Sequence, residues 1–248
     1  MKIKLFSQNN LHFFALALIA VTMSFTACNK DENDTTSTIS TEEAVAVIEG
    51  ALMNSTSGIG SEVADAAYIA LQYSEKDGLG GPCGTTFDST VTRSINETRV
   101  IATYTTTWRW KVNCNNVMVP TSLDFDRTSS GEYETSRMAS EDSAISDWTI
   151  SNLVLGNAWT LTGTYARNGS QTSQIRNQNS FTSELTMNIS SLSVNKSTLR
   201  VDSGSATFLL TGNGTGGNSF RFEGTIVFNG NGTATVTING QTYEIDLN

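Results

Sequence analysis

From about Thr86 to the C-terminus, apolar side chains recur at every second position. Val100, Ala102, Tyr104, Thr106, Trp108, Trp110 and Val112 alternate with Ile101, Thr103, Thr105, Thr107, Arg109 and Lys111. Leu123 and Phe125 alternate with Asp124 and Asp126. Trp159, Leu161 and Tyr165 share a face, as do Phe181, Leu185, Met187 and Ile189. Successive side chains of a strand point to opposite faces, so this period predicts long strands with one apolar face and excludes amphipathic helices. Glycine and asparagine punctuate the pattern. Turns are expected at Asn168-Gly169, within residues 213–218, at Asn229-Gly230-Asn231-Gly232 and at Asn239-Gly240, the last a strong hairpin signal because both central residues need positive φ. Two-residue turns join antiparallel neighbours only. Neither of the two prolines falls inside a strong strand pattern. The fold class expected is mainly β: an antiparallel meander of about ten to twelve strands over residues 86–248, forming a curved sheet or incomplete barrel, with a sandwich as the alternative.

Two short N-terminal helices precede the strands, over residues 40–76. Ser40-Thr41-Glu42-Glu43 reads as a capping box, with Ser40 as the cap and Glu43 bonding back to it. Val45, Ile48 and Leu52 follow at helical spacing, and Gly58 and Gly60 break the run. A second helix is predicted over residues 61–75. Its apolar stripe is Val63, Ala66, Ala67 and Ala70, and its polar stripe is Glu62, Asp65, Gln72 and Glu75, which reads as a solvated face. Such helices would cover an end or a face of the sheet. Gly78-Leu79-Gly80-Gly81-Pro82 closes the helical part.

Residues 1–27 read as a signal peptide. A basic start at Met1-Lys2-Ile3-Lys4 precedes an apolar run from about Leu11 to Phe25, then Thr26-Ala27-Cys28. The run is shorter than the roughly 20 residues a membrane span needs. Small residues ending on cysteine resemble the lipobox of bacterial lipoproteins, with Phe25 where that family usually has Leu. The resemblance implies cleavage before Cys28 and acylation of it, and two or more acyl chains make a durable membrane anchor. Residues 28–39 would then be a polar tether, and residues 40–248 a single domain. Lys30, Asp31 and Glu32 resemble the export tag of surface-displayed lipoproteins in one group of Gram-negative bacteria. Asp-Ser/Thr followed by a small or apolar residue, at Thr35, Ser89 and Ser143, resembles the O-glycosylation site of that group. The run from Gly224 to Gly240 resembles the ends of envelope lipoproteins from the same bacteria, which implies a fold and no activity. The address implied is the outer membrane, surface-exposed, with the periplasmic face as the alternative.

Composition narrows the chemistry. Removing 27 of 248 residues leaves 221, enough for one substantial domain. Lys2, Lys4 and the only histidine, His12, leave with the signal, so the formal charge moves from −9 to −11. Without imidazole, Ser-His-Asp and Cys-His catalysis and most zinc sites are excluded. The acidic balance argues against nucleic acid as a partner. Cys83 and Cys114 remain, and in an oxidising envelope two such cysteines pair; no basic neighbourhood marks either as a reactive thiol. The acidic pairs Asp124/Asp126, Glu132/Glu134 and Glu244/Asp246 are the main catalytic material, suited to a glycoside hydrolase or to Ca²⁺. Alternation also puts such acids on the wet face of a strand. Trp108, Trp110, Trp148 and Trp159 are expected to pack in the core, with sugar stacking as the alternative use. No complete catalytic, metal or cofactor motif is present. The function expected is a non-enzymatic binding or accessory module, its partner a glycan, a peptide or an outer-membrane protein. A carboxylate-dependent glycan hydrolase and a structural adhesin are the alternatives.

Overall fold

The strand pattern folds as ten antiparallel strands joined in sequence order: β1 (Thr86–Asn96), β2 (Val100–Cys114), β3 (Pro120–Thr135), β4 (Met138–Ser151), β5 (Ala158–Ser173), β6 (Ser180–Asn195), β7 (Val201–Gly214), β8 (Ser219–Gly230), β9 (Thr233–Ile238) and β10 (Gln241–Asp246). β1 and β10 each have one neighbour, so the sheet does not close into a barrel. A computed structural model describes residues 39–74, 83–175 and 178–248, all within a unit spanning Thr36–Asn248. The signal segment, Cys28, the Lys30-Asp31-Glu32 tag, Thr35 and Glu75 lie outside the described residues.

Side-chain alternation runs through almost every strand as expected, giving a wet face and an inner face. Asn239 and Gly240 both take positive φ, 50° and 75°, and join β9 to β10 as the hairpin signal predicts. Pro120 opens β3, a position where no ladder donor is lost. Asn168-Gly169 departs from expectation. These residues lie inside β5, opposite Ser143 and Asp142 of β4, and no turn forms there. Gly169 instead belongs to a row in which glycine alternates with residues that carry a side chain: Tyr104, Gly131, Asp142, Gly169, Ser183, Gly212 and Phe220 are successive cross-strand partners from β2 to β8. A Cβ on Gly131 would collide with the Thr103 carbonyl oxygen, and one on Gly212 with the Phe220 ring and the Thr182 carbonyl oxygen. The missing side chains let neighbouring strands and large inward groups approach closely, as glycine kinks in curved sheets do.

The two helices are α1 (Thr41–Leu52) and α2 (Ile59–Gln72). The Ser40 capping box forms: Ser40 Oγ accepts from the Glu43 amide at 3.2 Å, and Glu43 Oε2 accepts from the Ser40 amide at 2.8 Å. Ile39, expected in the tether, is buried in the core, so the domain begins at least one residue earlier. α2 starts two residues before its expected position and ends three before it. The helical hairpin touches both halves of the sheet. Arg127 of β3 and Arg167 of β5 bond to it, Asn239 bonds to Thr41, and the Asn54 amide donates to the Leu247 carbonyl at 2.8 Å. The sheet therefore curls around the helices and buries the inner face against them. Cys83 and Cys114 form a disulfide with a Cα separation of 5.8 Å, fastening the segment before β1 to the end of β2. For a sequence separation of 31 the chain-entropy model assigns it about 3–4 kcal/mol.

Candidate functional site

Inward strand positions carry two arginines, and these organise the interior. Arg127 follows Phe125 by two residues and Arg167 follows Tyr165 by two, so alternation turns both guanidinium groups inward. Arg127, 1 % exposed, meets Glu62 of α2 at 2.8 Å. It also donates to the Ser57 carbonyl at 3.2 Å and Ser57 Oγ at 2.6 Å, which pins Ser57 at φ 58°, a conformation uncommon for serine. Trp148 Nε1 donates to the second Glu62 oxygen at 2.9 Å. Asp65, one helical turn on, accepts from Arg93 of β1 through both oxygens at 2.9 and 3.1 Å, and from Trp108 Nε1 at 3.0 Å. The stripe expected to be solvated is thus split. Glu62 is 1 % exposed and Asp65 is mostly covered, while Gln72 faces water. The correction has a simple cause: cations reach those acids from strands far away in sequence.

Arg167 forms the second cluster. Its guanidinium contacts Asp142 at 2.8 Å and Tyr104 Oη at 2.6 Å, and lies over the rings of Tyr104 and Tyr133. It also donates to the carbonyls of Gly50 and Thr56 at 2.7 and 3.1 Å, around the C-terminal end of α1, where a cation complements the helix dipole. Burial pushes the Tyr104 and Tyr133 hydroxyls far above their ordinary range and Tyr165 up to about 12. All three hydroxyls stay protonated across the ordinary pH range, and the Asp142 carboxylate supplies the negative charge facing Arg167.

A different environment lies along the seam between α2 and the edge strand β1. β1 has little buried surface, so the groups between it and α2 are only partly covered. Two cavities occur here, and Asp65 and Arg93 line both, so their ion pair stands between them. The outer chamber, about 190 Å³, has walls of Tyr68, Trp108 and Trp110, with Gln72 and Ser89 as polar flanks. Tyr68 is 64 % exposed. Trp110 is half-buried, stacks on Phe87 with ring centroids 5.7 Å apart, and donates to Tyr73 Oη at 3.2 Å. Arg93 lies over the Trp108 ring at 5.2 Å. The deeper chamber, about 270 Å³, is lined by Asn54, Ser55, Ser57, Ser61, Tyr104 and Thr106. The four tryptophans therefore divide. Trp148 and Trp159 are buried core, their indole donors held by Glu62 and by Ser74. Trp108 and Trp110 pack against the core and also wall the chamber.

The sequence-predicted carboxylate pairs point elsewhere. Asp124/Asp126, Glu132/Glu134 and Glu244/Asp246 all lie on the wet face. Asp126 faces Asp147 across the ladder and Glu132 faces Glu141. Partial burial and the neighbouring Asp147 raise the Asp126 pKa. Glu132, Glu134 and Glu141 line an open trough of about 730 Å³ that crosses β2 to β7 on this face; Thr103, Ser170 and Thr182 contribute its hydroxyls. None of these pairs lies in the seam, and among the described residues no group of three or more His, Cys, Asp or Glu is arranged to hold a metal ion. Ser89 and Ser143 are exposed on strands β1 and β4.

Sequence reasoning missed the seam because it depends on which helix covers which strand edge. The inward parity of Arg127 and Arg167 was the one available signal that buried acids must exist. Comparison of the chain with protein families, with curated proteins and with solved structures finds no match.

Proposed function

We propose that this protein is a non-enzymatic, lipid-anchored module of the bacterial cell envelope that binds glycan in the seam between α2 and β1. The observation that carries it is the outer chamber: partly exposed aromatic faces at Tyr68 and Trp110, flanked by Gln72 and Ser89. Sugar rings present apolar C–H faces and polar edges, and aromatic walls with a few placed polar groups match both. The Asp65–Arg93 pair is internally neutralised, which favours an uncharged ligand. A hydrolase would need two carboxyl groups flanking one bond. Asp65 is engaged by Arg93 and Trp108, and the three carboxylate pairs on strands face outward.

The test is a glycan array probed with the full-length protein in detergent. Binding is expected, and Trp110→Ala is expected to weaken it about tenfold, the size of one lost aromatic contact. An array with no bound glycan, or unchanged binding by the variant, would defeat the proposal. Release of shorter sugars that depends on an Asp or Glu would instead support the hydrolase.

The anchor and tag are tested on intact cells. Protease is expected to cleave the wild-type domain at the surface and to spare a variant with Lys30, Asp31 and Glu32 changed to Ala. Protection of both would put the domain on the periplasmic side and redirect the ligand search to peptidoglycan.

A further inference from the structure

We propose that β1 pairs with β1 of a second copy of this chain, antiparallel and about a two-fold axis at Val91, so that two ten-stranded sheets join edge to edge. The proposal rests on the open edge of the sheet and is independent of the glycan reading of the seam.

The two edges differ. β10 has six residues, and α1 runs beside it, tied at one end by Asn239 to Thr41 and at the other by the Asn54 amide to the Leu247 carbonyl. β1 has eleven residues with no proline and no lysine, the usual guards of a long edge, and among the described residues β2 is its only strand neighbour. The hydrogen-bond phase decides which groups face out. The Glu97 amide donates to the Val100 carbonyl at 2.9 Å and closes the β1–β2 turn. Bonded and unbonded pairs alternate from there. Phe87, Ser89, Val91, Arg93 and Ile95 therefore turn their backbone groups to β2, and Thr86, Asp88, Thr90, Thr92, Ser94 and Asn96 turn theirs outward. The Thr90 and Thr107 hydroxyls meet at 2.9 Å, as side chains do across the closer, unbonded pairs.

This edge fits a strand of matching pattern, and its own sequence supplies one. With Val91 on the axis, Val91 faces Val91 of the second copy and Phe87 faces Ile95 in both directions. Ser89 faces Arg93, Asp88 faces Ser94, and Thr90 exchanges backbone bonds with Thr92. Apolar side chains meet apolar ones, and no like charges stand opposite each other. Sliding the register by two residues either way sets Arg93 against Phe87 or Val91 and leaves no apolar pair. Val91 and Ile95 already pack against the core, and Phe87 stacks on Trp110, so each copy presents an ordered apolar stripe along this edge. Because α1 accompanies β10, the pairing closes as a symmetric dimer instead of growing into a fibre.

The test is disulfide capture in the full-length protein in detergent. In this register Val91 forms an unbonded pair with its own copy, with Cα atoms about 4.5 Å apart and within disulfide reach. Ser89, on the same face, lies about 14 Å along the strand from its own copy and is out of reach. Val91→Cys is expected to yield a disulfide-linked dimer on mild oxidation, and Ser89→Cys to do so at most about a tenth as fast. The unsubstituted protein sets the background. Two further changes are made in the Val91→Cys chain. Thr92→Pro removes an outward amide, which an edge strand tolerates, and is expected to abolish capture. Ser89→Arg, at an exposed position, sets a cation opposite Arg93 of the second copy and is expected to slow capture without touching the backbone. Melting of each variant verifies that it is folded. No capture at Val91, equal capture at Val91 and Ser89, or capture that survives both blocking changes would overturn the proposal. Glycan binding is read separately on the array, so failure of either result leaves the other standing.

Discussion

Arg127→Met is expected to lower the unfolding free energy by about 3–5 kcal/mol, because it leaves the Glu62 carboxylate charged and buried without its cation. That is a large part of the about 5–15 kcal/mol that holds a domain together. Ser57 would lose both of its arginine bonds at the same moment, which removes one tie of the α1–α2 loop to the sheet and leaves those of Thr56 to Arg167 and Asn54 to Leu247. Urea unfolding followed by tryptophan fluorescence measures the loss. Adding Glu62→Leu to Arg127→Met removes the stranded charge, so the double variant should be less unstable than the sum of the singles. The cycle is then expected to show a coupling of about 1–3 kcal/mol. A loss below about 1 kcal/mol for Arg127→Met alone would mean that the pair is solvated in solution and that the buried network is absent.

The second large effect separates the tryptophans. Trp148→Ala is expected to cost about 3–5 kcal/mol, since it empties a fully packed site and strips Glu62 of its indole donor. Trp110→Ala removes a half-buried ring at the seam and should cost well under half as much, while weakening the proposed glycan binding. Calorimetric melting of the two variants in parallel decides the matter. Equal destabilisation would make Trp110 core like Trp148, and the outer chamber would lose its claim to be a recognition surface.

Much of the architecture was written locally. Period-two alternation from Val100 onward fixes which side chains point inward, and that property does not depend on what lies opposite. The Asn239-Gly240 hairpin and the Ser40 capping box are equally local, since each is set by backbone conformation and by bonds spanning three residues. Asn168-Gly169 shows where local reading ends. The same dipeptide that turns the chain at one place serves at another as a gap in a curved sheet, because Asp142 and Gln171 crowd that position.

The fate of Glu62 and Asp65 was open for the same reason. On a helix with polar residues at that spacing, either solvent or arginines from the sheet can satisfy the acids, and those arginines, buried Arg127 and half-exposed Arg93, stand on strands 65 and 28 residues away. The sequence by itself determined the strands, their faces, the main turns, the helix start and the residues available for chemistry. Tertiary structure alone decided how the sheet wraps the helices, which charges are buried, and that α2 lies along the open edge of β1. Those outcomes depend on pairing across long stretches of chain, and short-range periodicity carries no record of it. The candidate site lies at that edge, where the last strand on one side of an unclosed sheet leaves aromatic and polar groups only partly covered.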